Sequence, residues 1–242
     1  MPSAASEQLD VIAAYDQLAP RYEAIRTERS AYCDAIDRLI VANLPKHPSS
    51  LLDVGAGDGR RGEKVARDAG IGNIVLIEPS SGMRKLIDPH RKVWSDRIED
   101  IRISNRRFDV ITCLWNVLGH VRPAEQRLLA LKNMRSLLSR EGTLFLDVNN
   151  RYNARAYGVA PTLWRLLYDM ARPSSCNGDV TVQWTNDGEN IRTYGHVFAP
   201  AEIIKLVGNA GLKIQKMLFV DYTTGELHRS QFQGSMFFAL AR

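Results

Sequence analysis

The sequence predicts an α/β chain built on a mostly parallel sheet, and three observations predict it. An apolar segment, Leu51-Leu52-Asp53-Val54, runs into a glycine-rich turn, Gly55-Ala56-Gly57-Asp58-Gly59, and then into a helical pattern from Arg61 to Ala69. Further apolar runs alternate with helical stretches, an order that gives right-handed crossovers and parallel strands. Near the end, two strand-like segments with no helix between them imply an antiparallel hairpin, so that the last strand is reversed. At 242 residues, 45% of them hydrophobic, the chain can bury one substantial core. We therefore expect a single domain, 1–242, with three layers and a seven-stranded sheet whose last strand is antiparallel.

The elements follow in order. Residues 7–18 and 30–43 read as helices, with Tyr15 and Tyr22 around a break at Pro20. Strands are expected at 51–55, 74–78, 92–95, 108–114 and 143–148. A helix starts at Pro123, where a proline costs no hydrogen bond, and carries the apolar stripe Leu128, Leu131, Met134, Leu138. After the fifth strand, a helix within Arg155–Ala171 bears Leu163, Trp164, Leu167 and Tyr168. Val180–Trp184 and Ile191–Tyr194 then flank Asn186-Asp187-Gly188, a strong hairpin signal. Residues 151–198 thus read as an insertion that roofs a substrate pocket. A helix from Pro200 to Ala210 precedes Gly211, and strands at 212–222 and 231–240 close the sheet.

The glycine turn points to a nucleoside ligand. Glycines there allow positive φ and close approach of the backbone. Glu78 ends the second apolar run, and its distance from the turn suits a carboxylate that meets a ribose diol. Two cofactors compete. Gly57, Gly59 and Gly62 spell a dinucleotide fingerprint, but counting from the glycine after the strand puts Arg60 where close helix packing needs a small residue. Asp58 in the turn would also repel a pyrophosphate. A ligand carrying an ammonium and a sulfonium, such as S-adenosylmethionine, suits these carboxylates better.

The motifs LLDVGAGDG, VLIEPSSGM and FDVITCLWNVLGHV, in this order and spacing, resemble the Rossmann-like, class I S-adenosylmethionine-dependent methyltransferases over about residues 10–150. The resemblance implies roles by position. Asp53, Gly55, Ala56, Gly57 and Asp58 would hold the methionine part, and Glu78 with Pro79 the ribose. Met83 would pack on the adenine, while Asp96, Arg97 and Ile98 would read its amino edge, with Leu114 and Trp115 at the fourth strand. Residues 1–45 would form a helical lid, YDQLAPRYE being its most family-like part. Tyr15 and Tyr22 would then touch ligand, or simply pack the lid.

The chemistry asks little of the protein, because a sulfonium is already a strong electrophile and alignment supplies much of the rate. A base is needed only when the acceptor loses a proton as it attacks. His120, just beyond the fourth strand, is the first candidate; its plainer role is a helix-start residue bonded to backbone. His196 and His228 are lesser candidates. Ligands in such sheets bind beyond the carboxyl ends of the strands, which selects Asn116, Asn149 and Arg151 for the substrate, and Tyr194 could position an acceptor by a hydrogen bond. Trp115, Trp164 and Trp184 hint at an aromatic or cationic acceptor.

Absences narrow the acceptor. Leu114-Trp115-Asn116-Val117 is not the Asn/Asp-Pro-Pro-Tyr/Phe motif of base and glutamine methylases, no Pro-Cys follows that strand, and no carboxylate spacing suggests a metal. N- or O-methylation of a small molecule is the favoured reading. The net charge of +5 leaves a tRNA methyltransferase open, although the basic residues come as dispersed pairs such as Arg60-Arg61 and Arg106-Arg107. A nicotinamide oxidoreductase and a non-catalytic S-adenosylmethionine-binding regulatory protein also stay open. Three scattered cysteines make no disulfide framework, and Cys113 reads as core packing. No apolar run approaches the roughly 20 residues of a membrane span, and MPSAASEQLD lacks a signal-peptide core, so a cytoplasmic location is expected.

Overall fold

A computed structural model describes residues 9–101, 105–186 and 189–242. Strands β1 (Ser50–Val54), β2 (Asn73–Ile77), β3 (Lys92–Trp94), β4 (Phe108–Cys113) and β5 (Leu138–Val148) run parallel. The insertion hairpin is β6 (Asp179–Asn186) and β7 (Glu189–His196), and the chain ends with β8 (Lys213–Val220), β9 (Leu227–His228) and β10 (Ser235–Ala241). The main sheet has the order β3-β2-β1-β4-β5-β10-β8-β9. The reversed strand β10 slots between β5 and β8 and is antiparallel to both. Seven strands match the expected sheet, and the two-residue β9 adds an eighth at the edge.

The two faces of the sheet are written in adjacent residues, because side chains alternate along a strand. Leu51, Val110, Phe145 and Phe237 pack with Tyr32, Ile36 and Ile40 of α3 (Ser30–Val41) and Val65 of α4 (Arg60–Asp68). Leu52, Ile111, Leu144 and Phe238 pack on the other side with Leu131 and Met134 of α6 (Ala124–Leu137) and Ile203 and Val207 of α9 (Pro200–Asn209). Helices on both faces make the expected three layers. Cys113 is buried in this core.

Several boundaries shift for local reasons. The first helix, α1 (Val11–Leu18), starts later than expected, because Asp10 caps it by accepting from Ile12 N, and Leu9 instead bridges Thr193 of β7. Helix α2 (Tyr22–Thr27) lies between it and α3. Pro123 is the N-cap of α6 rather than its first residue, and Leu138, expected on the helical stripe, already belongs to β5. The short α5 (Ser81–Arg84) follows β2.

The insertion differs most. Helix α7 (Ala154–Tyr157) follows the end of β5, and α8 (Val159–Ala171) is tied to that end through Asp169, which pairs with Arg151, while Trp164 on α8 is 69% exposed. Among the described residues, the β6–β7 hairpin roofs a cavity through Val182, Gln183, Trp184 and Thr185, while α8 and the segment after it line a separate one. The hairpin pairs in register from Asp179↔His196 to Asn186↔Glu189, while Asp187-Gly188 of the expected turn lie outside the described residues. Among the described residues, no helix is long and apolar enough to cross a membrane.

Candidate active site

Two cavities meet beyond the carboxyl ends of β1, β2 and β4. The inner one lies over the glycine turn, and Gly55, Gly57, Glu78, Pro79, Arg97, Ile98 and Leu114 line it. The outer one, of about 520 Å³, lies between the lid helices and the β6–β7 hairpin. That volume falls in the range of roughly 300–1,000 Å³ found for small-molecule sites. Tyr15, Tyr22, Trp115 and His120 line both cavities and form the neck between them.

The turn is built to let a ligand come close. Gly55 N and Ala56 N both donate to Ile77 O at 2.9 Å, which ties the end of β1 to β2. Gly57 has φ +59°, and a Cβ there would sit 2.8 Å from the Tyr22 hydroxyl oxygen. Gly62 in α4 lies over Asp53, where a Cβ would come within 2.4 Å of the carboxylate. The residue of close helix–strand packing is therefore Gly62, and the bulk of Arg60 is no obstacle, since that side chain turns outward to Glu23 at 2.8 Å.

Glu78 sits at the end of β2, buried, on the wall of the inner cavity. Its Oε2 accepts from Gly57 N at 2.7 Å and its Oε1 from Ser80 N at 2.8 Å. Burial raises its pKa from 4.5 to about 7 against the opposing pull of these two bonds. Each oxygen keeps a second lone pair, so the carboxylate is fixed in place and still able to accept.

Other residues assigned to the cofactor lie elsewhere. Asp53 is buried beneath the turn, accepts from Thr112 Oγ1 at 2.7 Å, and has its pKa raised by burial to about 6. Asp58 is buried beside Arg60 and Arg26, whose nitrogens lie 3.7 and 3.9 Å away. Ala56 and Met83 are buried behind the wall, and Asp96 is exposed. None of these five lines either cavity. The acid on the wall beside Arg97 and Ile98 is Glu99, not the Asp96 that the sequence suggests for the adenine segment.

A carboxylate on α1 latches the lid to the segment after β2. Asp16 of α1 accepts from Ser80 Oγ at 2.6 Å, Gly82 N at 2.7 Å and Ser81 Oγ at 3.3 Å. The Ser80 bond, first among these, holds its pKa below the usual carboxylate range. The lid's start is pinned to the hairpin, with Leu9 N donating to Arg192 O and Thr193 Oγ1 donating to Leu9 O.

The neck has the most constrained backbone. Trp115 and Asn116 are consecutive non-glycine residues at φ +56° and +62°, a conformation that costs about 1–3 kcal/mol each. The surroundings hold them there. Trp115 N donates to Asp147 Oδ2 and Asn116 N to Asp147 O, both at 3.1 Å. Trp115 Nε1 donates to the Tyr222 hydroxyl, while the Asn116 amide bridges Asn149 N and His196 O. Tyr32 donates its hydroxyl to the buried Asp147 carboxylate.

His120 ends the helical turn Val117–His120. Its Nδ1 lies 2.9 Å from Tyr194 O, a carbonyl that can only accept, so Nδ1 carries the proton. Nε2 then holds a lone pair, which faces the Tyr15 hydroxyl at 3.3 Å. Burial lowers the His120 pKa, which favours this neutral form.

Asn149 lines the outer cavity with Asn116. Arg151 and Tyr194, expected there, face away. Arg151 is buried and binds Asp169 at 2.8 Å and Glu202 at 3.0 Å. Tyr194 donates to Asp179 and accepts from Arg127, so only its carbonyl reaches the site. His196 is buried between Asp179 Oδ1 at 2.7 Å and Glu202 Oε1 at 2.8 Å. His228 on β9 meets Arg155. Sequence reasoning missed Glu99, Asp16, Arg29 and Tyr222. The last two carry no local signal, because they come from the turn between α2 and α3 and from the turn after β8.

Residues 24–216 match a family model described as a methyltransferase domain. No curated protein matches the chain in sequence. Among solved structures, the chain is similar to an S-adenosylmethionine-dependent methyltransferase from Clostridium acetobutylicum, with 16% identity and a TM-score of 0.63 over 94% of this chain and 98% of that one. It is also similar to the CcbJ methyltransferase from Streptomyces caelestis, at 14% identity and a TM-score of 0.65 over 86% and 89%. The N-methyltransferase NodS from Bradyrhizobium japonicum, in complex with S-adenosyl-L-homocysteine, gives 14% identity and a TM-score of 0.62 over 96% and 98%.

Proposed function

The chain belongs to the methyltransferase-domain family and is an S-adenosylmethionine-dependent methyltransferase, and we propose that it methylates a nitrogen or oxygen of a small-molecule acceptor held in the outer cavity. The inner cavity fits the cofactor on two observations. Gly57 has no Cβ to crowd the Tyr22 ring on the cavity wall, and Glu78 is a fixed, buried carboxylate with acceptor capacity left over. When bound, the cofactor supplies an electrophilic methyl group on a sulfonium sulfur.

The chain's own residues do the rest. Glu78 would accept from the ribose hydroxyls, and the segment Arg97–Glu99 would stand at the adenine edge. Transfer would join the acceptor atom to the methyl carbon as the carbon–sulfur bond breaks, leaving that electron pair on a neutral thioether. The acceptor's proton goes to His120 Nε2, directly or through the Tyr15 hydroxyl. Tyr15 and Trp184, with ring centroids 5.8 Å apart, close the neck against water.

The single observation that carries the reading is the shared neck: one histidine with an oriented lone pair lines both cavities. The first experiment is calorimetric titration with S-adenosylhomocysteine beside NADH, followed by an acceptor screen read by mass spectrometry. Binding of the former alone, with methylated product lost in His120→Asn, supports the proposal. Methylation that needs tRNA and ignores small molecules sinks it.

A further inference from the structure

The outer cavity has a charge pattern that bears on the acceptor's chemical class. Its wall carries the guanidinium group of Arg29, and the carboxylate beside it, Glu28, is exposed at the rim where solvent screens it. Arg29 is half-buried, with its guanidinium carbon 4.7 Å from the centroid of the Tyr222 ring. Among the described residues it has no ion pair and no side-chain hydrogen bond, so its donors are available to the cavity.

This arrangement reverses the simplest reading of the aromatic walls. Rings alone favour a cationic acceptor. Here Arg29 already covers a face of Tyr222, and a second cation beside it would be repelled. The walls still offer flat apolar surface, from Trp184 at one side to Trp115 at the neck. A continuous path leads from the reacting end to the charged end, since Trp115 Nε1 bonds the Tyr222 hydroxyl and Tyr222 stacks under Arg29.

We infer that the acceptor is a planar anion, in the first instance an aromatic carboxylate, with its nucleophilic atom at His120 and its carboxylate at Arg29. This rests on the reading of the outer cavity as the acceptor site. A guanidinium suits the task because its planar fork takes a carboxylate through two parallel bonds.

The test uses full-length enzyme saturated with S-adenosylhomocysteine and three phenolic probes of different charge: 4-hydroxybenzoate, its neutral amide, and tyramine. Affinities are read by ligand-observed NMR titration. The carboxylate should bind about tenfold tighter than the amide, the scale of one charge-assisted contact, and tyramine should bind weakest. Arg29→Gln should bring the carboxylate down to the amide's level, and Arg29→Lys should restore part of the gap. Trp184→Ala, which removes the cavity wall, should weaken all three probes. S-adenosylhomocysteine calorimetry on each variant verifies that fold and cofactor site survive. Equal binding, or a preference for tyramine, with Trp184→Ala still weakening the set, overturns the anionic assignment and leaves the cavity as the acceptor site. Binding of none, or binding indifferent to Trp184→Ala, overturns both.

Discussion

Replacing Glu78 by glutamine should stabilise the cofactor-free protein at pH 8 and destabilise it at pH 4. The folded protein holds this carboxyl at a pKa of about 7 because burial penalises its charge, while the unfolded chain returns it to 4.5. Between those values the unfolded state has lost the proton and the folded state keeps it, so stability falls as pH rises through the window. At about 1.4 kcal/mol per pH unit, the burial of this charge costs about 3 kcal/mol once the pH is above 7. Glutamine removes that cost but turns its amide N–H toward one of the two backbone donors, Gly57 N or Ser80 N, and loses a bond worth about 1 kcal/mol. The net is a gain of about 2 kcal/mol at pH 8 and a loss of about 1 kcal/mol at pH 4, where the wild-type carboxyl is neutral in most folded and unfolded chains alike. Urea denaturation of the cofactor-free protein at both pH values reads the difference. S-adenosylhomocysteine affinity should fall at least tenfold at pH 8, since a charged acceptor has been removed from the ribose. The same offset in stability at both pH values would refute the reasoning, because ionisation of the carboxyl would then carry no burial cost.

Three further outcomes are expected. His120→Asn should lower turnover while leaving S-adenosylhomocysteine affinity within about twofold. The wild-type rate should fall only on the acid side, below the histidine's ordinary pKa of 6.5, because burial moves its titration downward and keeps the base form at neutral pH; a pH–rate profile of both enzymes checks it. Asp16→Ala should release the lid from Ser80–Gly82, raising amide exchange across residues 11–27 and weakening cofactor binding, with hydrogen-exchange mass spectrometry as the readout. Gly57→Ala puts a Cβ 2.8 Å from the Tyr22 hydroxyl in a backbone at φ +59°, so calorimetry should find cofactor binding lost or severely weakened.

The strand–turn–helix of β1 and α4, the alternating order of the sheet and its reversed last strand are legible in the sequence because each rests on local periodicity and turn chemistry. The lining residues Gly55, Gly57, Glu78, Pro79, Arg97 and Ile98 are legible for the same reason, since they sit at fixed offsets from strand ends. What is not legible depends on which way a side chain turns after the strand stops. Asp53 and Asp147 both end apolar strands, yet both face inward, to Thr112 and to Tyr32. Helix α8 has an amphipathic pattern that predicts a buried face, but Trp164 is exposed, because the hairpin and not the helix covers the cavity.

Arg151, Tyr194 and His196 show why polar residues beyond a strand are ambiguous. These three buried residues belong to one ion cluster with the more exposed Asp179, Asp169 and Glu202, and a cluster of that kind needs the same residue types as an active site. Its contribution to the site comes through backbone. By fixing β7 against α9, it sets where Tyr194 O and His196 O stand, and those two carbonyls orient His120 and Asn116. The strained pair Trp115–Asn116 is tolerable for the same reason, since Asp147, Tyr222, Asn149 and the β7 carbonyl over-determine its conformation. A base whose tautomer is chosen by a remote strand register can be aimed without a carboxylate beside it. That leaves the neck uncharged next to a sulfonium, while the charge that selects the acceptor sits at the far wall.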